Sequence, residues 1–266
     1  MKANILKSAR ALRLMHRLDE IKFIFQKIKK YNSNKQFVKE NPNVSLPPDY
    51  LMFESYKLDY QNYYYGGLSS ANDVINTLSK YESLKNKNIL DWGCGPARIL
   101  RHLPDILDSS NKFFGTDYNK SSIEWCKKNI KNVHFEINEL NPPLKFDSNF
   151  FDIVYSISIF THLSDESHTN WINEIYRVLK PGALFYTTTH GDVFKKIMTQ
   201  EEIKQFDNNK LVIRGNVKEG HRVYTAFQPP KYFQNLIQNK FKVIEFTPGK
   251  IEKWGLNQDL WILQRH

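Results

Sequence analysis

The residues of this 266-residue chain that could do chemistry gather around one stretch, Asn88-Ile89-Leu90-Asp91-Trp92-Gly93-Cys94-Gly95-Pro96-Ala97-Arg98. Ile89 and Leu90 form a short apolar run that stops in glycines. Glycine permits backbone conformations that a Cβ resists, so a ligand can lie there against bare main chain. Pro96 suits the first turn of a helix because it has no N–H to leave unpaired. The stretch therefore predicts a strand over 88–92, a glycine turn, and a helix from about 96 to 103. Strand, turn and helix N-terminus together make a nucleotide site. A dinucleotide fingerprint asks for a third glycine three residues after Gly95, and that position is Arg98, which weakens the phosphate-cradling reading. Asp117 ends the next apolar run, Phe113-Phe114-Gly115-Thr116, about twenty residues beyond the glycines, where a carboxylate can accept both hydroxyls of a ribose.

Asp91-Trp92-Gly93-Cys94-Gly95 resembles the first motif of class I S-adenosylmethionine-dependent methyltransferases, and three further stretches follow in the family's order. Phe150-Phe151-Asp152-Ile153-Val154-Tyr155-Ser156 is similar to its fourth strand. Ser158-Ile159-Phe160-Thr161-His162-Leu163 is similar to the loop and helix after that strand, and Tyr176-Arg177-Val178-Leu179-Lys180-Pro181-Gly182 to the entry into strand five. The likeness covers roughly 63–191, with Gln258-Asp259-Leu260 as a looser echo of bacterial, small-molecule or glycan-type members. Ala97 stands where the family often has glycine.

The resemblance implies S-adenosyl-L-methionine as cofactor, with Gly93, Cys94 and Gly95 passing under its methionine part and Asp91 accepting from turn amides or from its ammonium. Asp117 would take the ribose. Asn138 or Glu139, after strand three, would cap the adenine amino group, and Tyr118 would stack on the adenine or simply enter a helix. Arg98 would pair with the cofactor carboxylate or with an acid of the domain, and Ser156 would border the site at the end of strand four. Methyl transfer from a sulfonium needs mainly in-line placement, and a base only for a protonated nucleophile such as a hydroxyl. His162 and His190, at the ends of predicted strands four and five, are the candidate bases, each also open to a structural reading. His221 and Tyr224 are weaker substrate candidates. Tyr63, Tyr64 and Tyr65 either touch the cofactor or serve as rim and core aromatics.

These residues need a frame, and the pattern supplies one. Strands are predicted over 88–92, 112–117, 133–137, 151–157 and 183–189, alternating with helices over 120–130 and 166–179. That is an α/β, Rossmann-like, doubly wound sheet of seven strands, mostly parallel, with an antiparallel C-terminal edge strand from runs at 241–246 and 258–264. A helix near 192–205, short strands or irregular structure over 210–227, and a helix after Pro229-Pro230 complete the C-terminal part. Asn141-Pro142-Pro143-Leu144 resembles the substrate motif of amino-group methyltransferases but precedes strand four and lacks the aromatic, so it reads as a loop.

The expected division is 1–49, a basic amphipathic helix and linker, and 50–266, a methyltransferase domain with its core at 86–191 and a C-terminal insertion and sheet edge at 192–266. A 41% hydrophobic fraction supports one sizeable core. The net charge of +10 is concentrated, since residues 1–40 hold eleven Lys and Arg against three acids. The remainder is close to neutral, which argues against a nucleic-acid reader. Apolar residues Ile5, Ala9, Leu12, Met15, Leu18, Ile21, Phe25 and Ile28 recur at helical spacing among cations. Residues 1–30 should pack on protein, self-associate, or touch an anionic membrane from the cytoplasm. Two cysteines, Cys94 and Cys126, are too few for a disulfide framework or a zinc site, so no metal is expected. A small-molecule or glycan-like acceptor is expected, methylated at oxygen. The alternatives are a binding or partner protein that kept the fold without catalysis and, less favoured, a nicotinamide oxidoreductase.

Overall fold

The computed structural model describes residues 14–253 and 255–266, so the first half of the expected N-terminal helix lies outside the described residues. Seven strands form a sheet in the order β3-β2-β1-β4-β5-β11-β8, where β1 is Asn88–Trp92, β2 Lys112–Asp117, β3 Val133–Ile137, β4 Phe151–Ser156, β5 Leu179–Thr189, β8 Phe241–Thr247 and β11 Asp259–Arg265. β1 pairs β2, β2 pairs β3 and β4 pairs β5 in parallel, whereas β11 runs antiparallel to both β5 and β8. The chain divides into two compact units, Arg17–Glu139 and Leu140–His266, the latter with the N-terminal end of the described residues.

In the first unit, α1 (Met15–Glu40), α2 (Asp49–Ser55) and α3 (Tyr60–Leu78) precede the sheet, and α5 (Lys120–Asn129) links β2 to β3. Within the helix and linker expected over 1–49, the helix runs as far as Glu40. Its asparagines serve the helix: Asn34 is buried with its Oδ1 accepting the Tyr60 N–H, a partner that sequence spacing cannot reveal. α3 starts where the Asp59 side chain accepts the Asn62 N–H, and α5 starts likewise at Asn119. Gly67, inside α3, sits where an added Cβ would lie 2.1 Å from the Arg98 carbonyl oxygen, so the helix can approach only as glycine. Met52, Phe53, Leu58 and Tyr63 form a buried cluster between these helices, with Phe23 and Tyr64 packed on it.

The helix expected from Pro96 does not form there. Ala97 is held at φ +56°, left-handed backbone that interrupts an α-helix, so the chain turns through 93–99 before a 3₁₀ turn at Leu100–His102 and the short α4, Leu103–Ile106.

In the second unit, α6 (Asp165–Val178) connects β4 to β5. It is capped by Ser164 and carries Asp165 and Glu166 in its first turn and Arg177 in its last, each sign matched to the helix dipole. Arg177 binds Glu174 through two bonds, at 2.6 and 2.9 Å, and donates to the Phe146 carbonyl at 2.8 Å. The arginine of the Arg-Val-Leu-Lys-Pro-Gly stretch is thus an architectural clamp on the loop containing Pro142-Pro143, which is a loop as expected. The helix expected near 192–205 breaks in two, a 3₁₀ turn at Asp192–Ile197 and α7 at Gln200–Asp207, because Thr199 and Glu202 close a capping box that starts a new helix. Short strands β6 (Val212–Arg214) and β7 (Thr225–Phe227) pair antiparallel, as do β9 (Ile251–Glu252) and β10 (Gly255–Leu256), and α8 (Pro230–Ile237) follows β7. Phe194, Met198, Phe206, Val212 and Phe227 bury a separate small core under this insertion.

Candidate active site

The glycine turn is fixed from three sides within the first unit. The Thr116 carbonyl, at the end of β2, accepts from both Gly93 N–H (2.8 Å) and Cys94 N–H (2.9 Å). Asp117, the next residue, accepts the Gly95 N–H on Oδ2 at 2.8 Å and the Asn119 N–H on Oδ1 at 2.7 Å. Tyr63, buried, donates its hydroxyl to the Pro96 carbonyl at 2.6 Å and accepts from Arg101 at 3.3 Å. Gly93 and Gly95 stand at φ +82° and +51°, the left-handed region, which glycine adopts without the cost that a Cβ brings.

Burial pushes the Asp117 carboxyl pKa up, and the N–H donors of Asn119, Gly95 and Tyr118 oppose it. An ionised carboxylate offers about four acceptor positions, so Asp117 keeps acceptor capacity for a ribose hydroxyl beyond these backbone bonds. Asn138 is buried and donates Nδ2 to the Glu139 carbonyl at 2.6 Å, yet its Oδ1 is buried without a partner, an acceptor waiting for a donor. Glu139 is exposed, which separates the two residues that sequence spacing left nearly equal. Arg98 lies 4.6 Å over the Tyr56 ring and donates to Ser70 Oγ at 3.3 Å.

Sequence reasoning missed α2 at this turn: an added Cβ on Gly95 would lie 3.2 Å from Ser55 Cβ, and Glu54 accepts from Asn119 Nδ2 at 2.9 Å. Asp91 is buried at the end of β1. Tyr118 is half-buried, its hydroxyl pKa pushed up to about 12 by burial, then by Asp117 and Glu54. Cys94 and Cys126 are buried thiols whose pKa burial raises, so neither supplies a thiolate.

In the second unit the two candidate bases differ sharply. His190 Nδ1 faces the Ala226 carbonyl at 3.1 Å and its Nε2 faces Gln258 Nε2 at 3.2 Å, so the ring donates at one nitrogen and accepts an amide proton at the other. Burial, with His162 nearby, lowers its pKa to about 3. Both nitrogens being committed, the expected proton-accepting role does not suit His190. His162 Nδ1 meets the Tyr224 carbonyl at 2.7 Å, which must accept, so Nδ1 carries the proton and Nε2 holds the lone pair. Burial lowers its pKa, the Tyr224 carbonyl opposes, and Arg222 adds to the lowering, so the ring is neutral at physiological pH.

The insertion aims this imidazole. Gly220 N–H donates to the His162 carbonyl at 2.9 Å, and Glu219 accepts the Ser164 N–H at 2.7 Å. Tyr224 therefore acts on His162 through its backbone, and His221 braces the same loop by accepting the Val223 N–H at 3.3 Å.

Ser156 does not border an open site: it is fully buried, 2.9 Å from Thr187 Oγ1 on the paired strand. A second buried network escaped the sequence. Gln258 donates to Ser158 Oγ at 2.7 Å and accepts from Thr188 Oγ1 at 2.5 Å, and Thr188 accepts the Ser158 N–H at 2.9 Å. Gln228 donates to the Phe160 carbonyl at 2.9 Å, faces His168 Nε2 at 3.1 Å, and accepts the His190 N–H at 2.9 Å. Ser158, at φ +65°, is held left-handed by these bonds. Among the described residues no cluster of His, Cys, Asp and Glu could hold a metal.

Residues 89–182 match the family model of a methyltransferase domain. Over 172 residues the chain is 25% identical to the tRNA N(3)-methylcytidine methyltransferase trm140 of Schizosaccharomyces pombe, an alignment taking in 62% of this chain and 54% of that protein. The chain thus spans about half the length of this curated relative. Among solved structures it is similar to S-adenosylmethionine-dependent methyltransferases of Methanosarcina mazei (19% identity, 71% of this chain and 96% of that one, TM-score 0.55). It is also similar to a protein from Pyrococcus horikoshii (19% identity, 80% and 100%, TM-score 0.57). At such identities the structural likeness speaks for the fold. The orphaned Asn138 acceptor, the bare glycine turn and the spare acceptor positions of Asp117 fit an adenosine-bearing ligand. Residues 89–182 therefore form a methyltransferase domain, for which S-adenosyl-L-methionine is the implied cofactor.

Proposed function

We propose that this enzyme methylates a hydroxyl oxygen of a small-molecule or glycan-like acceptor, with His162 as the base. The observation that carries this reading is the Nδ1–H bond of His162 to the Tyr224 carbonyl, which leaves a neutral ring with its lone pair on Nε2. When bound, S-adenosylmethionine supplies an electrophilic methyl group on a sulfonium. His162 Nε2 would take the proton of the acceptor's hydroxyl, the thioether being the leaving group of the transfer. On the cofactor side, Asp117 is assigned to the ribose hydroxyls, Asn138 Oδ1 to the adenine amino group, and Gly93-Cys94-Gly95 with Asp91 to the methionine part. Arg98 is assigned to the methionine carboxylate, though its stacking on Tyr56 gives it a second, structural task. The enzyme is read as cytoplasmic; among the described residues no helix is long and apolar enough to cross a membrane.

The tRNA methyltransferase among the relatives favours a second reading, an RNA acceptor. The charge distribution speaks against it, because the net charge outside residues 1–40 is close to neutral. Incubating the protein with methyl-tritiated S-adenosylmethionine and either the RNA or the small-molecule and glycan fraction of one cell extract separates the two. Base-stable label in the second fraction is expected, and nuclease-sensitive label would replace this reading with the RNA one. Long-range ¹⁵N spectra of His162 should report a neutral Nδ1–H tautomer from pH 8 down to below the ordinary histidine range. An imidazolium signal at neutral pH would remove His162 as the base.

A further inference from the structure

Of the roles that its apolar spacing leaves open, packing on protein does not account for one face of α1: Ile21, Ile24, Phe25 and Ile28 are 61%, 56%, 64% and 73% exposed. The side turned inward is polar and aromatic instead. Gln26 Oε1 accepts the Leu58 N–H at 3.1 Å, Asn34 accepts the Tyr60 N–H, Lys30 pairs with Asp59 at 2.6 Å, Lys27 pairs with Asp49 at 2.9 Å, and Phe23 and Phe37 contact the rings of α2 and α3. These specific bonds fix the rotation of the helix, and a rotation that satisfies them sends the isoleucines outward.

At 100° per residue, Ile21, Ile24, Phe25, Ile28 and the exposed Tyr31 fall within one arc. Arg17, Lys35 and Lys39 lie within that arc, and Lys22 and Lys29 flank it together with Glu20 and Glu40. Beside the stripe, a groove of about 410 Å³ is lined by Ile21, Phe25 and Leu58, by Lys22, Lys29 and Lys57, and by the paired Lys30 and Asp59.

We propose that this face of α1 is a docking surface for an anionic lipid bilayer, the apolar stripe entering the interface and Lys22, Lys29 and Lys57 receiving a phosphate headgroup at the groove. Charge complementarity selects this occupant. A second copy of the same face would set cation against cation, and a nucleic acid would satisfy the lysines while leaving four large apolar side chains in water. An anionic bilayer satisfies both halves of the surface. The inference does not depend on the acceptor, since it concerns where the enzyme works and not what it methylates.

Full-length protein is sedimented with phosphatidylcholine vesicles, with or without about one third phosphatidylglycerol, at low and at high salt. Pelleting with the anionic vesicles alone, weakened at high salt, is expected. Ile24→Glu/Ile28→Glu and Lys22→Glu/Lys29→Glu should each cut the pelleted fraction about fivefold or more. These positions are on the surface, so the thermal midpoint should hold and shows whether each variant is folded. Failure of wild-type protein to pellet at low salt overturns the proposal, as does equal pelleting with neutral vesicles or undiminished pelleting of folded Ile24→Glu/Ile28→Glu. A concentration-dependent dimer in sedimentation velocity that Ile28→Glu abolishes, without vesicle binding, would give the face to a second copy.

Discussion

The two units build their sites from different materials. In Arg17–Glu139 the turn is made by main chain: N–H groups of Gly93, Cys94 and Gly95 bonded to one carbonyl and one carboxylate, with glycine at two of its positive-φ positions. In Leu140–His266 the corresponding strand ends carry a mesh of amide, hydroxyl and imidazole side chains, Ser158, Thr188, His190, Gln228 and Gln258. A main-chain cradle suits a ligand that is the same in every turnover, because backbone donors cannot be changed by substitution of neighbours. A side-chain mesh can be retuned one residue at a time, which suits the part of an enzyme that must fit a particular acceptor.

The sharpest way to break this contrast is to give the cradle a side chain. Gly95→Val forces a branched residue to φ +51° with its Cβ 3.2 Å from Ser55. It should abolish cofactor binding in calorimetric titration and cost roughly 2–3 kcal/mol in urea unfolding. Wild-type affinity would mean that the turn is only a structural corner.

Asp117→Ala tests the carboxylate that both ties the turn and is assigned to the ribose. Affinity should fall by about 1.5–3 kcal/mol, roughly 10- to 150-fold, while the protein stays folded. Unchanged affinity in a folded variant would leave Asp117 with the turn alone.

On the mesh side, Asp259 is buried, accepts the Gly249 N–H at 2.7 Å on Oδ1, and leaves Oδ2 without a partner against Gly191. Burial raises its pKa to about 6, the Gly249 bond opposing. Because the folded value exceeds the unfolded one, the native state binds more protons between about pH 4 and 6, and this residue's contribution to stability falls as pH rises through that window. Asp259→Asn keeps the acceptor for Gly249 and should gain about 2 kcal/mol at pH 7.5 and almost nothing at pH 4, read from urea melts at both values. Equal effects at the two pH values would show that the carboxylate's charge is not what matters.

The smallest effect tests whether the cradle depends on any side chain behind it. Tyr63→Phe removes the bond to the Pro96 carbonyl from a buried site and should cost about 1 kcal/mol of stability, with a loss of cofactor affinity of a few fold. A neutral result would mean that the Thr116 carbonyl and the Asp117 carboxylate hold the turn without Tyr63.

What the sequence by itself determined is what depends on near neighbours. The strand–glycine turn, Asp117 at its spacing, the alternation of strands and helices, and the antiparallel C-terminal pair follow from residue type and period, since glycine's freedom and a strand's twofold repeat are local properties. Even there Ala97 was misleading, because alanine favours a helix that the bonds of Cys94 and Thr116 around the turn override. The choice between His162 and His190 was not legible. It depends on which ring nitrogen is already bonded, by the Tyr224 carbonyl, 62 residues away, and by Gln258, 68 residues away. Asn138 and Glu139 were nearly equal candidates until burial separated them. The outward face of α1 was decided by Gln26 and Asn34 finding backbone donors 32 and 26 residues on, so specific polar bonds set the rotation against the apolar pattern. Only the folded chain brings such partners together, because a hydrogen bond depends on distance and direction in space, and sequence separation fixes neither.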